Sequence, residues 1–443
     1  MRKFSLISLM LLIVSTSTFA GGLLTNTNQH AAFLRMLSRG ATTEIDGALS
    51  NPAGLAFLPT DGFHMSLSIQ SAFQTRNIDA SCEGLGLNKY YEGKASAPVI
   101  PSLFAAYKTG DWTLSGFFGI TGGGGKASFD DGLPMFDAMV IGGLGAQKIP
   151  SNAYSLKSYM DGKQYIYSVQ LGLTYKITDW LSAFAGGRMN YFTGGYEGAL
   201  KASSAVELPS PAGGTIPTGT ELIGIDLDCS QTGWGFTPVI GLDAKFGKLN
   251  IGAKYEFKAN LNIENNTKVN SLRMLGAPET ELGDYKHGVN TPNDIPAMLS
   301  VAAAYEFLPV LRASVEYHFY DDKNAGMANG KQKYLTKGTN EYLAGIEWDV
   351  ISRLTLSGGV QFTDYGLSDD YQSDTSFSCD SYSLGFGAKL QLSERADLNV
   401  GYMWTNYEDY TKTTQNYNGI GVPGTNVYSR TNKVFGLSID YRF

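Results

Sequence analysis

This chain of 443 residues has few places where it could carry chemistry: four His, three Cys and one run of four glycines. His318 follows Glu316 by two residues, so a strand would place both on one face, which is half of a nucleophile-activating relay. No positioned serine accompanies it, because the sequence contains neither G-x-S-x-G nor H-E-x-x-H. The pair therefore reads as a polar contact. GGGGKA at 122–127 resembles a phosphate loop, but Ile120 stands where its first Gly belongs and Ala127 where Ser or Thr belongs. Asp321-Asp322-Lys323-Asn324 departs from the Ca²⁺-loop spacing because its Gly falls too early. Cys82, Cys229 and Cys379 cannot all pair, which leaves at most one disulfide and one free thiol, with the partners undecided. No catalytic residue, metal site, cofactor or enzymatic activity is expected. The remaining residues of interest are Asn51-Pro52-Ala53, just before the first alternating segment, and cations such as Arg188, Lys254, Arg312 and Lys389 that recur on one face of alternating segments.

The elements that position them begin after a leader. Arg2 and Lys3, an apolar run from Phe4 to Val14, and Thr18-Phe19-Ala20 read as a signal peptide over 1–20. No later run approaches the roughly 20 apolar residues of a membrane helix. Without Arg2 and Lys3 the formal charge of −7 becomes about −9, which argues against a nucleic-acid partner. By length the mature chain of about 420 residues would be two or three soluble domains. However, 53 Gly, 26 Tyr and only 17% charged residues suit a sheet whose glycines bend strands and whose aromatics sit at a membrane interface.

From Phe63 onward apolar and polar residues alternate. Leu249, Ile251, Ala253, Tyr255, Phe257, Ala259, Leu261 and Ile263 take one face against Asn250, Gly252, Lys254, Glu256, Lys258, Asn260 and Asn262. Fourteen such strands are expected, from 62–74 to 426–443. Their connections alternate between tight turns and long loops near 75–100, 122–162, 201–230, 265–293, 321–337, 365–377 and 412–425. An even strand count with turns on one side and loops on the other predicts an all-β fold, a 14-stranded antiparallel transmembrane β-barrel. Tyr107, Trp112, Tyr175, Trp180, Phe246, Tyr305, Phe307 and Trp348 beside the turns form an expected aromatic girdle.

The chain resembles the FadL-type family of outer-membrane transporters for long-chain fatty acids and other hydrophobic compounds. The likeness is carried by GGLLTNTNQHAAFLRMLSRGATTEIDGALSNPAGLAFL, VIPSLFAAY, WTLSGFFGITGGGG and NDIPAMLSVAAAYEF. It implies an N-terminal plug inside the lumen over 21–58, with Asn51, Pro52 and Ala53 as its motif near the wall, and a barrel over 59–443. Pro52 would end any helix begun over 43–49. The resemblance also implies passive uptake across a bacterial outer membrane by capture in extracellular loops, transfer to a luminal pocket and lateral exit at a kink in the third strand. Gly116 and Gly119 are the candidates for that kink. Tyr441 and Phe443 resemble the C-terminal signal read by barrel-assembly machinery.

Inward positions Phe104, Ile166, Phe184, Val239 and Met403 can line an apolar pocket or pack on the plug, and Arg188 and Lys389 can meet a carboxylate head group or pair within the lumen. The expected surroundings are outer-membrane lipid and lipopolysaccharide, and the expected state is a monomer. A porin, or a receptor or adhesin barrel without hydrophobic transport, is the alternative.

Overall fold

The computed structural model describes residues 25, 27–210 and 213–443; the expected leader and residues 21–24 lie outside them. The wall is fourteen antiparallel strands, three of them interrupted. They are β1 Gly62–Cys82, β2 Leu87–Thr109, β3 Trp112–Phe129, β4 Tyr154–Lys176, β5 Leu181–Ser204, β6 Glu221–Phe246, β7 Leu249–Glu256 resuming as Asn262–Met274, and β8 Asn290–Pro292 resuming as Met298–Leu308. Then come β9 Leu311–Tyr320, β10 Thr339–Ile351, β11 Leu354–Asp364, β12 Ser381–Ser393, β13 Ala396–Tyr407 resuming as Tyr410–Thr414, and β14 Gly424–Arg442. β1 and β14 pair from His64↔Arg442 to Ser81↔Thr425 and close the ring. Closure removes both sheet edges, so every wall strand has two neighbours, the condition for crossing hydrocarbon.

The membrane band is set by alternation. Leu67, Ile69, Leu114, Leu171, Ile240, Leu242, Leu437 and Ile439 face outward and exposed, while Ser66, Ser68, Ser115, Gln170, Asp243 and Ser438 face inward and are buried. All eight expected girdle aromatics are exposed beside the short turns. Trp112 lies 4.4 Å from Tyr175 and Trp180 stacks at 4.9 Å on Phe246. At the end of the chain Phe443 N–H donates to the Phe63 carbonyl, and its exposed ring meets Phe63 and Tyr441 at 5.3 and 4.7 Å.

The fourteen strands match the expected count, but strand runs into four of the expected long loops and fills most of 75–100. β1 and β2 run on to a tight turn at 83–86, β3 to β6 extend well above the band, and β7 continues to Met274. The reason is an inversion of polarity. Above the band Ile78, Ala80, Cys82, Leu87 and Tyr91 point inward and are buried, while Asn77, Asp79, Ser81, Asn88 and Glu92 point outward. Tyr196, Leu200, Ala202, Ile223, Ile225 and Leu227 repeat this against Glu197, Lys201, Asp226 and Asp228. There the outside meets water and the inside holds an apolar core, as in a soluble sheet. A search for apolar-out strands stops where the pattern reverses.

That core fills the mouth. Helix α1, Pro134–Gly145, is apolar on nearly all sides and packs inside the ring with Leu133, Met160, Leu200, Ile225, Leu282 and Tyr417; a helix apolar all round is stable only when enclosed. All three cysteines are buried and free. Their thiols lie in this core, and the one disulfide that the sequence allowed is not formed.

Candidate functional site

The lumen is built in levels. In the lower half, residues 27–58 lie within the ring and are almost wholly buried. Two short helices, Ala31–Arg35 and Gly47–Ser50, and a 3₁₀ turn, Pro52–Phe57, are the regular elements of this segment. Inward side chains from nearly every side of the wall satisfy its backbone. Ser102 donates to the Gln29 carbonyl, Gln170 to Ala48, Thr174 to Pro52, Ser182 to Ala53, Lys254 to Leu49 and Ser314 to Ser38. Pro52 ends the preceding helix and opens the 3₁₀ turn, where its missing N–H costs nothing. Asn51 donates to Asp243 on β6 and to the Thr42 carbonyl. Ala53 packs on Phe184 and Val239.

The charges of this level are matched. Arg35 is fully buried between Glu347, Asn399 and Ser357, and Arg39 donates to Glu44, Asp46 and Thr42. Lys389 pairs with Glu44, Arg312 with Asp349, and His30 contacts Asp440 and Ser66. Higher up, a second cavity lies among Phe33, Arg39, Arg188, Lys254, Glu256, Glu316, His318 and Tyr320. Arg188 and Lys254 both bind Glu256 there. The two ring nitrogens of His318 meet Glu316 at 2.6 Å and Glu341 at 2.9 Å. The histidine is thus held between two carboxylates, and among the described residues it bonds no serine, the geometry of a polar brace.

Above this level a cavity of about 1030 Å³, open mouth included, lies among Gln70, Arg76, Gln164, Tyr407, Arg430 and Asn432. It also touches Ala97 and Ile100 of β2 and Gly123 and Gly125 of β3. Those four residues edge a gap in the wall. Pairing of β2 with β3 holds from Thr109↔Trp112 to Leu103↔Phe118, then lapses until Ser96↔Lys126. Two physical causes coincide. Pro98 and Pro101 have no N–H to donate. Gly123 and Gly125 adopt positive φ, +101° and +78°, at two register shifts against β4. A Cβ at either would fall 2.2 Å from the Gln164 carbonyl oxygen or 2.4 Å from that of Ser96. Val99, 64% exposed, stands on the outer edge of the gap, beside the exposed Ile69 and Phe118 of the apolar band.

Outside this cavity, a smaller apolar one in the mouth is lined by Met135, Phe136, Met160, Leu200, Ile225, Leu227, Leu282, Tyr285 and Thr375. The connection between β11 and β12 folds inward between the two. Its tight turn at 373–376 is pinned by Asp374, which accepts from Met135 N–H, Asn426 and Tyr428. Thr375 faces the mouth cavity and Ser376 the luminal one.

The structure distributes the sequence candidates over these levels. Phe104, Phe184, Val239 and Met403 pack against residues 27–58, and Lys389 pairs with Glu44 of that segment. Ile166 sits in a separate cluster with Phe192, Leu261 and Ile295. Arg188 lines the second cavity but is paired. Gly116 stands in unbroken pairing between Ala105 and Leu171, while Gly119 lies at the lower end of the gap, bonded on the β4 side alone. The run Gly122–Gly125 forms the upper part of the break. Sequence reading missed Arg76, Gln164, Tyr407 and Arg430. Arg430 has the same parity as inward Asp440 on the last strand, a signal that was present; Arg76 fell in a stretch read as loop.

No protein-family model and no curated protein matches the chain. Solved structures do. A FadL homologue from Pseudomonas aeruginosa superposes with a TM-score of 0.67 at 16% identity, over 95% of this chain and 99% of that one. The toluene transporter TodX of Pseudomonas putida gives 0.59 at 15% identity, over 97% and 100%, and the toluene transporter TbuX of Ralstonia pickettii gives 0.52 at 15%, over 97% and 99%. The closed fourteen-stranded wall and these whole-length superpositions give one conclusion: this chain has the fold of the FadL-type channels.

Proposed function

We propose that the protein is an outer-membrane channel for passive uptake of hydrophobic compounds, long-chain fatty acids among them. The observation that carries this reading is that a single luminal cavity is bordered by both edges of a gap in the wall, at the height of the lipid-facing band. A solute in that cavity can pass sideways into the membrane without crossing the polar lower lumen, which residues 27–58 occupy as a plug. The apolar cavity under helix α1 is the capture site, and the 373–376 turn separates it from the luminal cavity. Transfer between apolar sites keeps the burial free energy of an acyl chain, about 0.8 kcal/mol per CH₂, from being lost in one step. The folds it resembles include a FadL homologue and toluene transporters, which supports the same class of solute.

The test is uptake of radiolabelled oleate and toluene by cells lacking their own transporter, supplied with the intact chain or with Gly123→Val. Uptake above empty vector, lowered by the substitution at equal surface level, is expected. Uptake equal to vector with a folded, surface-located barrel overturns the reading.

A further inference from the structure

The outer face of the wall carries a row of lysines just above the gap. Lys433 of β14 pairs with Phe73 of β1, Phe73 with Ser96 of β2, Ser96 with Lys126 of β3, and Lys126 with Lys163 of β4. One register line thus crosses five adjacent strands, and at about 4.8 Å per strand it is about 19 Å wide. Its Ser96↔Lys126 pair is the first one formed above the gap. Lys94 stands two residues beyond Ser96 on the same outer face of β2, and all four lysines are exposed.

These lysines are the first outward charges above the apolar band on β2, β3, β4 and β14. Below Lys433 the outward face of β14 is Phe435, Leu437 and Ile439, and below Lys163 that of β4 is Tyr165, Tyr167 and Val169. On β5 and β6 the sign reverses, because their first outward charges are Glu197 and Asp228, which pair with each other. The row is only half matched by carboxylates. Lys126 meets Asp161 at 2.7 Å and Lys94 meets Glu92 at 3.2 Å, whereas among the described residues Lys163 and Lys433 have no carboxylate within 4.0 Å. Lys126 and Lys163 also stand directly opposite each other, an arrangement that destabilises a strand pair unless an anion offsets it. A chain of net charge −7 therefore gathers positive charge on one side of its wall, at the upper edge of the membrane.

We propose that this row binds the phosphate groups of lipid A and seats one lipopolysaccharide molecule over the outer edge of the gap. Clustered lysines at headgroup height attract anionic lipid, and the long-loop end of the barrel faces the outer leaflet. Lipid A presents two phosphates on one disaccharide, which suits cations spread across five strands; a lipid with one phosphate would match only one end of the row. Its acyl chains would lie below, along Phe73, Ile69, Val99 and Phe118, three of which edge the gap. The proposal rests on the place of the barrel in the outer membrane and is independent of what the luminal cavity carries.

The purified full-length barrel, delipidated in a nonionic detergent, is titrated with lipid A carrying two phosphates, with monophosphoryl lipid A and with phosphatidylglycerol, and bound lipid is read by native mass spectrometry. The unaltered protein is expected to bind the two-phosphate lipid A about fivefold or more tightly than either single-phosphate lipid. Substituting Lys126→Gln, Lys163→Gln and Lys433→Gln together is expected to lower that affinity by about a hundredfold. A control with Lys268→Gln, Lys323→Gln and Lys337→Gln removes the same charge from exposed positions elsewhere and should stay within about twofold of the unaltered protein. Heat-modifiable gel migration confirms that both triple variants are folded. Equal affinities for the two triple variants overturn the site. Phosphatidylglycerol bound by the unaltered protein as tightly as two-phosphate lipid A overturns lipid A as its occupant.

Discussion

Arg35 and Arg430 are both arginines inside one barrel, and they are held in opposite ways. Arg35 is fully buried among Glu347, Asn399 and Ser357, at the level where residues 27–58 meet the wall. Arg430 faces a cavity, with the Tyr407 ring at 4.6 Å, Arg76 opposite, and no carboxylate within 4.0 Å among the described residues. The lower lumen is a packed interface in which the charges of segment and wall pair, although Nη2 of Arg35 and Nε of Arg188 make no hydrogen bond. The upper lumen keeps open space, an unmatched cation and a broken stretch of wall. Polar residues inside a barrel therefore do not have one role: satisfied networks hold a segment in place, whereas an incomplete one leaves capacity for a ligand.

This contrast can be broken by substitution. The largest effect is expected from Arg35→Met, which takes the nearest cation from buried Glu347, leaving it Arg312 at 3.4 Å and Arg39 at 3.9 Å, and unpairs the Asn399 side chain; it should cost about 3–5 kcal/mol. It is read as a lower urea midpoint and faster proteolysis of residues 27–58. Arg430→Gln, which relieves like-charge repulsion, should not lower the midpoint; equal losses for the two variants would defeat the comparison. Next, Phe104→Ala should cost about 3–4 kcal/mol, because Phe104 is enclosed by Leu49, Leu55 and Phe117 in the lower level. Ile100→Ala, at the gap, removes less enclosed surface and should cost under about 1.5 kcal/mol in the same urea titration.

A smaller effect sharpens the upper level. Gly123→Val places a branched side chain where even a Cβ meets the Gln164 carbonyl at 2.2 Å. Uptake should fall by about tenfold, equivalent to about 1.4 kcal/mol, with the barrel still resistant to unfolding in gel assays.

The smallest effect is a pH dependence at the inward 373–376 turn. Lys331, on the loop beside it, donates to the Ser376 carbonyl, and burial, reinforced by Lys412 and Arg76, lowers its pKa to about 7. The undocked loop, with Lys331 near its ordinary 10.5, binds more protons between pH 7 and 10.5 than the docked one. Docking should therefore strengthen as pH rises through that window and weaken as it falls towards 7. Proteolysis near the turn should be slower at pH 9 than at pH 7 relative to a Lys331→Met control, which should lose the difference.

Much of the fold was legible because a lipid-facing strand imposes a strict code. Residues such as Leu437, Ile439 and Tyr441 against Gly436, Ser438 and Asp440 can be read only one way, and each tight turn lies where that code stops. The upper wall was less legible. The same strand, β1, reads apolar-out at Leu67 and Ile69 but apolar-in at Ile78 and Ala80, because the outer solvent changes from lipid to water along its length. Loop boundaries drawn from the first code therefore fell too early. The gap was half legible: the resemblance pointed to the third strand and to Gly116 and Gly119, of which Gly119 borders the gap, while Gly123 and Gly125 and the prolines opposite, Pro98 and Pro101, lay in or at the edge of assumed loops.

By itself the sequence determined the strand count, the face each residue presents within the band and the position of the turns, since these follow from local periodicity and backbone chemistry. Only the tertiary structure decided which inward residues meet. Arg35 finds Asn399 and Glu347, and Arg430 finds Arg76, across hundreds of residues. Whether an inward charge is satisfied depends on the closure of the ring and on what fills it, and no periodicity along the chain records either.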